Sequence, residues 1–190
     1  MKAIVKTIMT AGAIAGFVAV SAFTVAPRNL TLGKDSRLWL EGTSSVKSYK
    51  CAASKLAVDA FGEPTARPAE IVKSASLTVA VAQLDCGNKT MNEHMRKALK
   101  ADKNPLISWK MTSYEVQGAS VTVDGTLTIA GKENPIQLKG TGTADNGVIR
   151  FKGSKQFKMT EYGVKPPTLM LGTMKVGDPV TVSFDLVLSE

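Results

Sequence analysis

The chain is poor in the residues that do chemistry. It has one histidine, His94, and two cysteines, Cys51 and Cys86, in 190 residues. A Ser-His-Asp triad would have to be built on His94, and no G-x-S-x-G elbow accompanies it. Two cysteines and one histidine do not complete the usual four-ligand zinc set without carboxylates. Asp85, Glu93 and Asp102 lie around His94, but charges flanking a helix are ordinarily solvated, and His94 itself reads as a surface residue. The glycines lack the spacing of a phosphate-binding loop. Aromatics make up only 6%. That is too few for the girdles of an outer-membrane barrel or for a base-stacking run. Catalysis, metal binding and nucleic-acid binding all lose ground, and no cofactor is implied.

What is present is alternation. In Ser120–Gly140, Val121, Val123, Leu127 and Ile129 point one way, and Thr122, Asp124, Thr126 and Thr128 point the other. A two-residue period of this length marks a half-buried antiparallel strand. The polar turn Gly131-Lys132-Glu133-Asn134 follows, and Ile136 and Leu138 then resume the pattern. The same period predicts strands at Arg37–Thr43, Ser48–Ala53, Ser74–Ala82, after Pro105 around Trp109, Val148–Thr160 and Asp178–Leu188. A loop is expected from Phe61 to Pro68, and a longer one over 161–177. The period changes once. Thr90-Met91-Asn92-Glu93 has the form of a capping box, and Met91, Met95, Ala98 and Leu99 share one face of a short helix ended by Asn104-Pro105. That methionine stripe is either core packing or the adaptable wall of a ligand site. The fold class expected is all-β: an antiparallel up-and-down, lipocalin-like barrel of about eight strands with one inserted helix. At that size the interior is filled by side chains or holds one ligand.

The N-terminus predicts export. Lys2 and Lys6 precede an uncharged run from Ile8 to Ala22, followed by small residues, the pattern of a signal peptide. Cleavage is expected after Ala22, with Ala26 as the alternative site and an uncleaved anchor as the alternative fate. Residues 1–22 are then the signal peptide, 23–35 a poorly ordered leader, and 36–190 the barrel domain. The location expected is periplasmic or secreted, where Cys51 and Cys86 read as a disulfide, the alternative being two buried thiols. The formal charge of the whole chain is +8. Losing Lys2 and Lys6 leaves the balance basic, which favours anionic partners and transient contact with an anionic membrane surface. The sequence sets no oligomeric state.

Several motifs, in order, resemble the YceI-like family of exported polyisoprenoid-binding proteins. They are Met91-x-x-His94-Met95-Arg96-x-Ala98-Leu99 with Asn104-Pro105-x-Ile107-x-Trp109, then Asp124-Gly125-x-Leu127-Thr128-Ile129-x-Gly131 with Pro135-Ile136. Phe157 to Gly163 and Val176-Gly177-Asp178-x-Val180 complete the set. The likeness covers nearly all of the chain after the leader. Two features depart from it: Thr43-Ser44 stands where many members have His-Ser, and the cysteine pair is not a general family feature. The resemblance implies a lipocalin-like barrel with a long isoprenoid tail, of polyprenyl or quinone class, threaded inside. An enzyme acting on an apolar substrate and a packed-core interaction module are the competing readings.

Parity then selects the inward face. Leu77, Val79, Val81, Trp109, Met111, Val123, Leu127, Ile129, Leu138, Phe151, Phe157, Val182, Phe184 and Leu186 are expected to face in, with Met91 and Met95 on the helix as further wall. Along the sixth strand the inner positions shrink through Gly140, Gly142 and Ala144. That leaves room for a ligand or marks a close crossing of backbones. Lys155 is the charged exception among the apolar odd positions 149, 151, 157 and 159. Either a β-bulge at Gly153-Ser154 turns it outward, or it stands at the barrel mouth and meets a ligand's head group.

Overall fold

The computed structural model describes residues 28–62, 72–169 and 173–189. The expected signal peptide and residues 23–27 of the expected leader lie outside them, as do positions 63–68 of the expected loop and Met170 and Leu171. The strands are β1 (Arg28–Leu32), β2 (Arg37–Ser44), β3 (Ser48–Ala53), β4 (Ala57–Gly62), β5 (Val72–Ala80) and β6 (Leu84–Asp85). After the helix α1 (Lys89–Ala98) come β7 (Leu106–Gln117), β8 (Ser120–Ile129), β9 (Lys132–Asp145), β10 (Val148–Lys158), β11 (Thr168–Leu169) and β12 (Met174–Ser189).

Eight strands close an antiparallel barrel in the order β1-β4-β5-β7-β8-β9-β10-β12, and β12 returns to β1 through Thr31↔Ser189 and Leu32↔Leu188. β12 is long enough to serve two neighbours on one edge. Its tail pairs with β1, and its earlier part pairs with β2, from which β3 and β6 extend the wall. The barrel therefore widens toward the end where β2, β3 and α1 lie.

Three expectations are corrected here. Arg28–Leu32 is a strand rather than part of a disordered leader, because pairing with β4 and β12 supplies the order its composition does not. Ala57–Gly62 is a strand that the sequence reading stopped short of, and it pairs with both β1 and β5. Ala60 is 2% exposed there, so a small residue holds an inward position that a hydrophobicity pattern under-reports. The helix begins two residues early: Asn88 is its N-cap, accepting from the Met91 N–H, and Thr90 lies in the first turn.

The β8–β9 turn is also tighter than expected. Ala130 and Gly131, at φ 50° and 80°, make the whole connection, and Lys132 already pairs with Ile129. Positive φ at both central residues suits the strand twist of a two-residue hairpin. The last strand starts at Met174, and the loop before it carries a helical turn, Met159–Tyr162, and β11.

Two carboxylates fasten this closing section. Asp178 accepts from the Thr160 hydroxyl at 2.7 Å and the Thr160 N–H at 2.9 Å. Asp185 takes a two-pronged contact from Arg150, both distances 2.6 Å. The Thr160 hydroxyl holds the Asp178 pKa below its usual value, and the Arg150 guanidinium does the same for Asp185. A carboxylate depressed in the fold stabilises it above the unfolded pKa and loses that contribution as pH falls through the folded one. Urea unfolding should therefore show stability declining below about pH 4. Asp178→Asn and Asp185→Asn should each be weaker at neutral pH with a shallower acid slope; an unchanged slope in both would remove these groups from the acid response.

Candidate lipid cavity

A cavity of about 670 Å³ occupies the wide end of the barrel. That is within the range of small-molecule sites, roughly 300–1,000 Å³. Strand alternation sends every second side chain of the wall into it. β5 contributes Leu77 and Val79, β7 Trp109, β8 Leu127 and Ile129, and β9 Leu138. β10 contributes Phe151, Lys155 and Phe157, β12 contributes Val182, Phe184 and Leu186, and α1 contributes Met91 and Met95. All but Lys155, whose direction the sequence left open, were expected from the sequence.

Three expected residues do not line the cavity. Val81 is 1% exposed in the helical turn Val81–Gln83, which ends β5 and takes it out of register with the wall. Val123 is 6% exposed in the closed part of the core. Met111 stands opposite Gly125, next to a register shift that re-aims the rest of β7.

The glycines of β9 do not enlarge the cavity. Gly140 stands opposite Gly153 of β10. A Cβ on Gly140 would run into the Lys152 carbonyl and come 3.0 Å from the Phe151 ring, and one on Gly142 would meet Val121 Cγ2 at 2.5 Å. The close-crossing reading holds, and the space is taken by Phe151 and Val121. Phe151 and Phe184 lie against each other with centroids 4.9 Å apart and floor the cavity. Trp109 covers Gly125 in the same manner, its Nε1–H buried without a partner among the described residues.

Lys155 is not turned outward. β10 pairs with β12 without interruption from Val148↔Ser189 to Lys158↔Pro179, so there is no bulge at Gly153-Ser154. It is not at the rim either: Phe157, further along β10, and Met159, in the helical turn that follows, also line the cavity.

Sequence reasoning missed a whole sector. Leu38 and Leu40 of β2, Tyr49 and Cys51 of β3, and Leu84 and Cys86 all line the cavity, as do Tyr162 and Val164 beyond β10. The alternation of Tyr49 and Cys51 along the strand predicted over Ser48–Ala53 was the available signal; that their shared face is inward depends on β2 and β3 joining the wall. His94 lines the cavity together with Thr90 and Asn88, which corrects its reading as a surface residue. The loop-borne Tyr162 is 3% exposed and meets Phe157 edge-on at 5.2 Å. Burial raises the pKa of both Tyr49 and Tyr162, and nearby Glu161 adds to the shift at Tyr162, so both remain neutral phenols.

The helix is the cavity's cover. None of its residues is buried, and its apolar face, Met91, Met95, Ala98 and Leu99, is turned to the cavity. Its position is set at the N-terminus. Asn92 donates to Asp85 at 2.8 Å and accepts from the Cys86 N–H at 2.8 Å, and the Cys51–Cys86 disulfide ties that segment to β3. The cysteine Cα atoms are 3.9 Å apart, closer than the roughly 4.4–6.8 Å expected of a disulfide.

A model of the YceI-like domain matches residues 40–188. A UPF0312 protein of Pseudomonas paraeruginosa is 28% identical over 97 residues, 47% of this chain and 51% of its own length, and so is one from Pseudomonas aeruginosa. The chain thus spans about half the length of the curated relatives it matches. Among solved structures, Burkholderia cenocepacia BcnA superposes with a TM-score of 0.68 at 23% identity, covering 80% of this chain and 95% of BcnA. The Campylobacter jejuni YCEI protein gives 0.59 at 21%, covering 72% and 85%. A polyisoprenoid binding domain from Saccharophagus degradans gives 0.61 at 15%, covering 87% and 99%. At these identities the structures establish a shared fold.

Proposed function

The chain belongs to the family of YceI-like domains, and from that premise we propose that it holds a long apolar lipid of isoprenoid type, polyprenyl or quinone, in the barrel as a carrier or buffer. The observation that carries this is the cavity itself, walled by leucines, valines, methionines and aromatics and covered by a helix whose apolar face is left to it. Each methylene moved from water into such a wall gains about 0.8 kcal/mol. Ten or so, roughly, offset the cost of ordering a flexible chain without any hydrogen-bonded anchor. The Saccharophagus degradans domain of the same fold, described as polyisoprenoid binding, supports the same class of ligand. The action is holding and release rather than turnover, since contact is spread along an apolar wall. Export through a cleaved leader over residues 1–22, to the periplasm or outside the cell, completes the reading, and the disulfide suits such an oxidising compartment.

Native purification, organic extraction and mass spectrometry test it. A co-purifying polyprenyl or quinone lipid, released only on denaturation, is the expected result. Protein that is lipid-free from its native host and takes up no prenyl chain in vitro would leave the packed-core module as the better account.

A further inference from the structure

We propose that the cavity selects lipids with an oxyanion head, and that Lys155 is the group that reads it. This rests on the lipid-binding reading and adds the head-group class to it. Lys155 projects from the middle of an apolar wall, with Phe151 on one side of it along β10 and Phe157 on the other. It forms no ion pair among the described residues, and no aspartate or glutamate among them lines the cavity. While the cavity is wet, water solvates the ammonium. A neutral chain filling the cavity would expel that water and leave the charge unpaired, which is costly in an apolar surround. A chain carrying an oxyanion supplies the missing partner at the same moment.

The register adds a second donor. Lys155 pairs with Val182, which pairs with Leu40 of β2. In the next inward layer Phe157, Val180, Gly42 and Tyr49 follow one another across the same strands. Tyr49 lies back over Gly42, with its hydroxyl and ring edge where a Cβ would be, so the phenol is carried from β3 toward the strand that bears Lys155. Its neutral hydroxyl is a further donor among the residues that line the same cavity as Lys155. An ammonium and a phenol facing a space without carboxylates suit a phosphate or a carboxylate on a long apolar chain.

The test measures the affinities of geranylgeranyl phosphate, geranylgeraniol and palmitate for the wild type, Lys155→Met and Lys152→Met. Lys152 is on the exposed face of the same strand and controls for general charge. In the wild type, geranylgeranyl phosphate should bind roughly ten- to a hundredfold more tightly than geranylgeraniol. Lys155→Met should abolish that preference while keeping or improving the affinity for geranylgeraniol, which also shows that the variant is folded. Lys152→Met should retain the preference. Tight palmitate binding that also depends on Lys155 assigns the site to oxyanions in general, and a gain for the prenyl phosphate alone assigns it to phosphate. Equal binding of phosphate and alcohol by the wild type, or a preference that survives Lys155→Met, overturns this inference and leaves the lipid site standing. Binding of no probe at all overturns both.

Discussion

Removing the Cys51–Cys86 disulfide should lower stability by about 3–4 kcal/mol, the chain-entropy value for a loop of this length. The cross-link spans 35 positions of sequence, a loop that holds β4, β5 and β6. Without it the unfolded chain regains the freedom of that whole segment. The double variant Cys51→Ala/Cys86→Ala is the suitable probe, because Cys51 is 1% exposed and a serine hydroxyl there would add its own burial cost. Urea denaturation of the variant beside the oxidised wild type reads the difference. Mass spectrometry of unreduced wild type should show two hydrogens fewer than the reduced chain; two alkylatable thiols there would sink the premise. Because Cys86 sits just before the helix N-cap and both cysteines line the cavity, the variant should also release a bound lipid faster. A stability loss under about 1 kcal/mol would mean that Asp85, Asn88 and Asn92 hold this segment without the cross-link.

Gly140→Val should destabilise the barrel by about 1–3 kcal/mol, the usual cost of forcing atoms into a packed site. Any Cβ at this position meets the carbonyl of Lys152 on the paired strand and then the Phe151 ring at 3.0 Å. A branched side chain cannot rotate out of both. The relief open to it is to part β9 from β10 or to drive Phe151 against Phe184 and into the cavity. Lipid affinity should then fall along with stability, and Gly140→Ala should show a smaller loss in the same direction. Denaturation of the two variants within about 0.5 kcal/mol of wild type would mean that Gly140 has room above it, as a ligand tunnel along β9 would require.

The strands legible in the sequence were those whose inward positions are large and apolar. In β5, β8, β10 and β12 the side chains alternate in kind, and each strand overlaps the span the period gives it, differing only at the ends. β1 and β4 escaped because their inner positions are few or small, Leu30 in the one and Ala60 in the other, and their order comes from neighbours distant in sequence. The cavity wall was legible to the same extent. Positions such as Leu77, Leu138 and Phe184 follow from parity alone, whereas Leu40, Tyr49 and Leu84 needed the knowledge that β2, β3 and β6 complete one end.

Local pattern determined three things about this protein: the all-β class, the one α-helix among the described residues, and the inward face of β5, β8, β10 and β12. It could do so because a two-residue period is a property of one strand and needs no partner. Pairing between strands decided the rest. Unbroken register between β10 and β12 turned Lys155 inward, where the sequence left a bulge as the alternative. The crossing of Gly140 and Gly153 closed the space that shrinking side chains along β9 suggested. The placing of α1 over the wide end made His94 a cavity residue. In each case the deciding atom belongs to a strand or segment remote in sequence, and the local alternation is the same whichever way that contact falls.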